Sequence, residues 1–376
     1  MSTLKVDGIR SNSASSDAIT LANDGTCTAN ITNNLSNRNL VINGAMQVAQ
    51  RGDATGVTNA YGGCDRYKYY STGATVSLTQ ATGNTSAGFA KAQRIDVTTA
   101  DTSLASSDRS YLTYRIEGQD LQRVKKGTSS AEQLTMSFWI KSTVTGTYIL
   151  ELWDEDNTRT CSKSYTVSSS NTWEKKEITF PADTTGAWDN DNGESLLILF
   201  WLNAGSNYTS GTLNTSWAGQ TNANRAVGQV NALNSTSNDI YFTGIQLEVG
   251  SVATDFEHRS YAQELALCQR YYYRHATGNG KGISENATMY NDSSVFLSIP
   301  LPTEMRAQPT LEITNSTNHF LKYESNGGTN FNTLGRDGIT TPRLLCLNGT
   351  VSGSSGHSCM IRTNSADAYI AAVAEL

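Results

Sequence analysis

Apolar and polar residues alternate along much of the chain between residues 39 and 258. In Leu134–Lys141 every second residue is apolar, so one face of an extended segment is apolar and the other carries polar residues and Trp139. Further segments of this kind are Arg66–Ser71, Thr75–Thr79, Gln93–Thr98, Tyr111–Glu117, Thr147–Trp153, Thr160–Val167, Trp173–Phe180, Leu196–Asn203 and Ile240–Val249. Because turns rather than helices separate them, the pattern predicts an all-β chain with a central antiparallel β-sandwich.

Two segments depart from simple alternation. In Ile240–Val249 the apolar positions slip by one residue at Gly244, which predicts a β-bulge at Thr243–Gly244. The run from Leu196 to Leu202 is apolar throughout, which is typical of a central strand covered on both faces. We therefore expect a second layer, or a neighbouring subunit, over the outer face of that strand.

The chain divides into segments of different composition. Residues 1–38 hold short β-like pieces and too few apolar residues to bury a core, so they are flexible or pair with other copies of themselves. One helix is predicted at about 260–275, where Ser260 is a suitable N-cap and apolar residues follow a helical stripe. Prolines and short apolar runs indicate a separate β domain at 276–376. The predicted division is an N-terminal segment 1–38, a sandwich 39–258, a connecting helix 259–275 and a C-terminal β knob 276–376.

Charge and hydropathy exclude several kinds of partner. The 376 residues carry 28 Lys and Arg against 34 Asp and Glu, so no basic field for nucleic acid is expected. The longest apolar run is far shorter than the ~20 residues that cross a bilayer, and the first residues lack an apolar signal core. Six scattered cysteines without a CxxC pattern indicate reduced thiols. We expect no nucleic-acid partner, no membrane insertion and, apart from the calcium candidates below, no cofactor.

All six tryptophans fall between residues 139 and 217, near the longest Ser, Thr and Asn loops. Flat aromatic rings stack on the CH faces of sugars, and acidic or amide side chains bind the hydroxyls. Trp139, Trp173 and Trp201 lie inside predicted strands and are better explained as core residues. The tryptophans of loops and strand ends indicate either a carbohydrate-binding surface or packing against a partner chain. The candidate carbohydrate-binding residues are Trp188, Trp217, Trp153, Asp154 and Asp189.

The acidic loops also suggest calcium or catalysis. Asp189, Asp191 and Glu194 supply hard oxygen ligands of the kind that Ca²⁺ prefers, but they lack the EF-hand loop pattern, and the alternative is a solvated acidic loop. The same carboxylates suit a glycosidase pair, yet nothing places two of them across a cleft. No GxSxG, HExxH, Walker or dinucleotide glycine motif occurs. The sequence therefore favours a protein that is not an enzyme. The polar stretch between Asn203 and Asp239 is predicted to be a binding loop or an arm that reaches a neighbour.

Several longer stretches carry a family resemblance: STLKVDGI and SSDAITLANDGT near the start, NLVINGAMQVAQRG (39–52), RIEGQDLQRVKKGTSSAEQLTMSFWIKS (115–142), GTLNTSWAGQTNANRAVGQVN (211–231) and FTGIQLEVGSVATDFEHRSYAQELALCQRYY (242–272). In these the chain resembles tail-fibre and related virion-surface proteins of tailed bacteriophages, particularly marine and cyanobacterial ones. The last hundred residues match loosely, through MRAQPTLEI (305–313) and the AEL terminus. The resemblance implies a jelly roll similar to carbohydrate-binding modules and a distal β domain, on a homotrimeric fibre. It carries over no binding residues.

Three functions remain open on this basis. The expected one is a non-enzymatic tail fibre of the virion, assembled in the bacterial cytoplasm, that attaches to other tail proteins through residues 1–38 and binds host surface polysaccharide. The second is a purely structural fibre or adaptor whose jelly roll docks other tail proteins. The third is a tailspike that depolymerises the polysaccharide, which requires two carboxyl groups within about 5–9.5 Å of each other in a groove.

Overall fold

The computed structural model describes residues 6–10, 12–13, 18–21, 23, 27–29, 37–314, 317–325 and 327–376. Within these ranges nearly all regular structure is β-strand, accompanied by two short α-helices and four 3-10 turns. The prediction of an all-β chain is therefore confirmed. None of the helices in these ranges is long and apolar enough to cross a membrane.

The first strands form a small sheet of their own. They are β1 (Gly8–Ile9), β2 (Ile19–Leu21) and β3 (Cys27–Ala29), in antiparallel order β1-β2-β3. Gly8 pairs with Thr20, and Ile19 pairs with Ala29. Much of the predicted attachment segment 1–38 lies outside the described residues.

Residues 54–249 contain the strands of two large antiparallel sheets. The strands are β4 (Ala54–Val57), β5 (Asn59–Tyr61), β6 (Lys68–Ser71), β7 (Thr75–Thr82), β8 (Lys91–Thr99), β9 (Arg109–Glu117), β10 (Leu134–Ser142), β11 (Gly146–Asp154), β12 (Arg159–Val167), β13 (Glu174–Phe180), β14 (Glu194–Ala204), β15 (Ala218–Gly219) and β16 (Asp239–Val249). The connections include α1 (Ser206–Thr209) and the 3-10 turns Thr85–Ala87, Gly118–Asp120, Gln122–Val124 and Asn222–Asn224. One sheet has six strands in the order β13-β10-β16-β8-β7-β4, and the other has seven in the order β15-β12-β11-β14-β9-β6-β5.

The apolar faces of these two sheets pack against each other. Phe138 of β10 and Phe242 of β16 belong to the six-stranded sheet, and both contact Phe200 of β14 in the seven-stranded sheet. The ring centroids lie 5.2 and 4.9 Å apart, and all three side chains are fully buried. Each such burial contributes roughly 1.5–3 kcal/mol of hydrophobic stabilisation. The two sheets thus form the predicted β-sandwich.

The outer face of β14 is covered as well, as its uninterrupted apolar run predicts. Trp201 is fully buried there, with Tyr208 of α1 against it at 5.6 Å between ring centroids. Arg225 forms a bidentate ion pair with Glu151 of β11, at 2.8 and 3.0 Å. The covering layer therefore comes from this chain itself. The long polar stretch between β14 and β16 packs on its own sheet instead of extending as an arm, because it buries the apolar outer face of that sheet.

The β-bulge in β16 is present. Gly244 and Ile245 together lie opposite the single residue Phe138 of β10. Gly244 adopts a φ of +60°, and the ring of Phe89 packs against it. The bulge thus lies one residue later than predicted. Phe242 before the bulge and Ile245 within it are both fully buried, which the slip in the apolar pattern predicts.

The helix α2 (Tyr261–Gln269) is shorter than predicted. It begins with a capping box in which the Ser260 hydroxyl accepts a hydrogen bond from the Gln263 N–H and the Gln263 side chain accepts one from the Ser260 N–H. It ends at residue 269 rather than near 275, because β17 (Tyr272–Thr277) pairs with the strand Tyr369–Val373. Aromatic residues favour strands, and this tertiary pairing outweighs the helical stripe.

The C-terminal strands form a second pair of sheets. They are β17, β18 (Gly282–Asn291), β19 (Ser294–Pro300), β20 (Thr310–Ile313), β21 (Phe320–Glu324), β22 (Gly327–Phe331), β23 (Leu334–Arg336), β24 (Leu344–Thr350), β25 (Ser358–Thr363) and β26 (Tyr369–Val373). A three-stranded sheet has the order β17-β26-β20, and a seven-stranded sheet has the order β22-β21-β25-β18-β19-β24-β23. Both sheets contribute to one apolar core, for example through Ile370 of the smaller and Leu347 of the larger.

Candidate functional site

Three of the five candidate carbohydrate-binding residues surround one buried lysine. The Lys126 ammonium lies 5.4 Å from the ring centre of Trp188 and 5.5 Å from that of Trp217. Its Nζ forms an ion pair with Asp154 Oδ2 at 2.5 Å and a second with Asp183 Oδ2 at 3.2 Å. The fold therefore gathers residues that are far apart in sequence, but it gathers them around a cation of the chain itself.

Burial gives this group a structural role. Trp188 is 6% exposed and Asp154 is fully buried, so neither presents a ring face or an oxygen to a ligand. Asp154 instead neutralises Lys126, since a buried ammonium needs a carboxylate. Trp188 packs against Lys126, since an ammonium is attracted to ring faces. Trp217 is half-buried, and its indole N–H donates to the Pro181 carbonyl at 2.9 Å.

The other two candidates lie apart from this group. Trp153 on β11 is half-buried, with the Arg225 guanidinium 4.6 Å from its ring centre. Asp189 is exposed in a loop, where its backbone N–H donates to Asp156 Oδ2 at 3.0 Å. The five candidates therefore do not form one binding surface.

The calcium candidates are not brought together either. Glu194 Oε2 forms an ion pair with Arg115 at 2.5 Å, and Asp191 Oδ1 accepts a hydrogen bond from the Gly193 N–H at 2.8 Å. Over the described ranges the structure contains no cluster of three or more His, Cys, Asp or Glu side chains that could hold a metal ion. Asp189, Asp191 and Glu194 therefore make local contacts within the loop and with β9.

A different set of aromatic residues lies on the outer face of the six-stranded sheet. The strand registers place Lys141 of β10 opposite Tyr241 of β16, and Tyr241 opposite Arg94 of β8. Trp173 lies just before β13, next to Lys141, and Trp139 lies two residues before Lys141 on the same face. Trp173, Lys141, Tyr241 and Arg94 form one row across the sheet, and Trp139 lies beside that row on the same face. We call the following residues the aromatic strip: Trp139, Trp173, Tyr241, Lys141 and Arg94.

The aromatic strip is partly open to solvent. All five side chains belong to half-buried residues, in contrast to the fully buried aromatic residues of the core. The rings of Trp173 and Tyr241 lie 6.2 Å apart at an angle of 68°. The Lys141 ammonium lies beside both rings, 4.0 Å from the Tyr241 ring centre and 5.4 Å from that of Trp173. The sheet thus presents aromatic surface and a cation side by side.

Two carboxylates flank one end of the strip. Arg94 Nε donates to Asp239 Oδ1 at 2.8 Å, and its Nη2 lies 3.4 Å from Asp96 Oδ1. Hydrogen bonding to Asp239 raises the pKa of Arg94. Burial, with the neighbouring charge of Asp239, raises the pKa of Asp96 above its ordinary value. Burial likewise raises the pKa of Tyr241, so its hydroxyl stays protonated and able to donate. The strip can therefore stack on an apolar ring face and hydrogen-bond polar groups at its edge.

The sequence predicts core positions for Trp139 and Trp173 because both lie in strand-like segments. The alternation in Leu134–Lys141 already held the opposite signal, since Trp139 shares its face with Lys141 and polar residues rather than with Phe138. Trp173 has a similar signal, since alternation in Trp173–Phe180 puts it on the face of Lys175 and opposite Ile178. Its place next to Lys141 follows only from the order of strands in the sheet.

A cavity of about 1020 Å³ lies beside α2, between residues 37–42 and residues 303–304. Its cationic side chains are already bound: Arg270 to Glu117 at 2.7 Å, and Arg259 to Glu264 at 3.3 Å. Arg123 donates to the Arg38 carbonyl at 2.9 Å.

No protein-family model matches this chain, and no curated protein matches it. Among solved structures it is similar to the enzymatically active domain of tailspike protein 4 of bacteriophage CBA120, with 11% identity and a TM-score of 0.31. That similarity covers 56% of this chain and 21% of the tailspike chain.

Two further similarities are to sugar-binding folds. The family 11 carbohydrate-binding module of the cellulase Lic26A-Cel5E of Clostridium thermocellum matches at 17% identity and a TM-score of 0.27, covering 56% of this chain and 98% of the module. A putative sugar-binding protein from Bacteroides thetaiotaomicron matches at 10% identity and a TM-score of 0.30, covering 56% and 100%. Identities and TM-scores this low say nothing about a ligand or an activity.

Proposed function

We propose that this chain binds polysaccharide through the aromatic strip and that it does so as a non-enzymatic fibre subunit. The observation that carries the proposal is the half-buried Trp173 and Tyr241 pair on an open sheet face, with Lys141 beside both rings. Pyranose rings are apolar on their CH faces and polar at their edges, so they match aromatic surface bordered by hydrogen-bonding groups. Asp96, Asp239 and Arg94 supply such a border.

The assignment to a fibre rests on the sequence resemblance to tail-fibre proteins of tailed bacteriophages. On this proposal the protein is a homotrimer in the virion tail, joined to other tail proteins through residues 1–38, and it adheres to the surface polysaccharide of a bacterial host. Multi-angle light scattering tests the assembly. The expected mass is three times that of the chain, and a monomer at micromolar concentration contradicts the trimer.

The proposal treats the Asp96 and Asp239 carboxylates as binding groups rather than as catalysts. They lie opposite each other on adjacent strands and share Arg94, whereas the carboxyl pair of a glycosidase stands on the two sides of the scissile bond. Incubation with purified envelope polysaccharide should release no new reducing ends. Reducing ends that disappear in Asp96→Asn or Asp239→Asn would instead support the depolymerising tailspike.

Affinity electrophoresis through gels that contain purified bacterial envelope polysaccharides tests binding directly. Trp173→Ala should weaken retention of the protein by about tenfold or more, since central aromatic anchors often dominate a binding energy. The matched control is Tyr290→Ala, because Tyr290 is 73% exposed on the C-terminal sheets, away from the strip. Loss of retention in the control alone would place the contact on the C-terminal sheets. Absence of retention for the wild type on every polysaccharide would favour a purely structural fibre.

A further inference from the structure

Lys141 differs from the other cations on its face of the sheet. Lys175 of β13 pairs with Glu177 at 2.7 Å, and Arg94 pairs with Asp239 at 2.8 Å. Among the described residues, no carboxylate forms an ion pair with Lys141 and no acceptor receives a hydrogen bond from it. Within the part of the chain that the structure describes, its close partners are the rings of Tyr241 and Trp173.

This environment fixes the ammonium without neutralising it. A cation is attracted to the faces of Tyr and Trp rings, so the two rings hold Nζ in place beside them. Ring faces do not satisfy the three N–H donors of an ammonium as an anion would. A half-buried and immobilised ammonium therefore gains more from an arriving anion than a mobile surface lysine, because its side chain loses little further freedom on binding.

We propose that the aromatic strip selects acidic polysaccharides, with Lys141 binding a carboxylate or sulfate carried by the sugar that stacks on Trp173. This inference rests on the proposed function and adds the charge class of the ligand. The anionic substituents of a pyranose project from the ring edge, so a sugar stacked on Trp173 brings such a group toward the ammonium, which lies 5.4 Å from the centre of that ring.

The opposite end of the strip gives the ligand a direction. Asp96 and Asp239 share the single cation Arg94, so that end carries excess negative charge. It accepts hydrogen bonds from sugar hydroxyls and repels a second anionic group. An acidic sugar therefore binds with its anion at Lys141 and its hydroxyls toward Asp239.

Polygalacturonate and its fully methyl-esterified form test the inference, because esterification removes the charge and keeps the sugar backbone. Dextran sulfate and neutral dextran form the sulfate arm of the same experiment. Wild-type protein should bind at least one acidic polymer about tenfold more tightly than its neutral partner, since a hydrogen-bonded charge pair is commonly worth that factor.

Lys141→Gln should abolish the preference, and Lys141→Arg should keep most of it. Lys175→Gln is the matched control, because Lys175 is exposed on the neighbouring strand and already paired, and it should retain the preference.

The outcomes separate this inference from the proposed function. Preference for polygalacturonate alone identifies a carboxylate ligand, and preference for dextran sulfate alone identifies a sulfate. Equal affinity for charged and neutral polymers overturns the inference, and so does a preference that survives in Lys141→Gln. In either case, binding that is lost in Trp173→Ala still supports the aromatic strip as the binding site. Failure to bind any of the four polymers also overturns the inference, and retention on envelope polysaccharide then decides the proposed function separately.

Discussion

Glu375 forms an ion pair with Arg66, at 2.5 Å between Oε2 and Nη1, across the boundary between the two β-sandwiches. Both side chains are nearly inaccessible, with 6% and 1% of their surface exposed. The Arg66 guanidinium also stacks on Tyr271, 3.4 Å from the ring centre, and donates to the Arg115 carbonyl at 2.8 Å. The end of the described chain is therefore anchored in the first sandwich by a buried charge.

Glu375→Gln should destabilise the protein by about 3–5 kcal/mol, because the substitution leaves the buried Arg66 without its counter-charge. Urea unfolding monitored by tryptophan fluorescence measures the change. The control is Glu304→Gln, whose partner Arg343 is exposed and whose loss should cost at most about 1 kcal/mol. Equal effects of the two substitutions would show that the Arg66 pair does not stabilise the boundary.

Asp154→Asn and Asp189→Asn should differ strongly, although both residues were candidate sugar contacts. Asp154 neutralises the buried Lys126, so its loss should cost about 3 kcal/mol, near the lower end for buried pairs because Asp183 remains. Asp189 is exposed, and its substitution should change stability by less than about 0.5 kcal/mol. Thermal unfolding of the two variants measures this, and similar melting temperatures would contradict a structural role for Asp154.

Gly244→Ala should cost about 1–3 kcal/mol. The residue has a φ of +60°, and a Cβ there would lie 2.6 Å from Cζ of Phe89, so both the backbone and the ring would have to shift. Gly219→Ala is the control, because nothing lies within 4 Å of the added atom, and it should be nearly neutral. Chemical unfolding measures both variants, and a neutral Gly244→Ala would mean that the bulge tolerates a side chain.

His275 should make the C-terminal sheets less stable in mild acid. Its ring nitrogens lie 3.0 Å from the Tyr273 hydroxyl and 3.0 Å from the Ile283 carbonyl, and burial lowers its pKa although the bond to Ile283 opposes the shift. The unfolded chain therefore binds a proton first, so stability is full above about pH 6.5 and falls as the pH drops through the folded-state pKa.

Unfolding free energies of the wild type and of His275→Gln between pH 7.5 and 5 measure this effect. The wild type should lose up to about 1.4 kcal/mol per pH unit more than the variant within that window. Parallel pH profiles would show that His275 does not titrate on unfolding.

Much of the fold follows from local pattern, because period-two alternation and the phase slip at Gly244 are written in neighbouring residues. The end of α2 cannot be predicted from neighbouring residues, because the strand that begins at Tyr272 forms only by pairing with β26, almost a hundred residues away. The placement of the candidate site residues depends on tertiary contacts in the same way. Trp188 lies in a polar loop but is buried in the apolar core beside Lys126, whereas the place of Trp173 next to Lys141 follows from strand order. Polarity of the local sequence thus predicted strand faces well and loop burial poorly.

The six tryptophan indole N–H resonances offer the most direct test of the aromatic strip. Titration of isotope-labelled protein with an acidic polysaccharide, followed by heteronuclear NMR, reports which indoles meet the ligand. Assignment uses single Trp→Phe variants. If the aromatic strip binds the ligand, the resonances of Trp139 and Trp173 shift while those of Trp188, Trp201 and Trp217 stay in place. Shifts confined to Trp188 and Trp217 would contradict it.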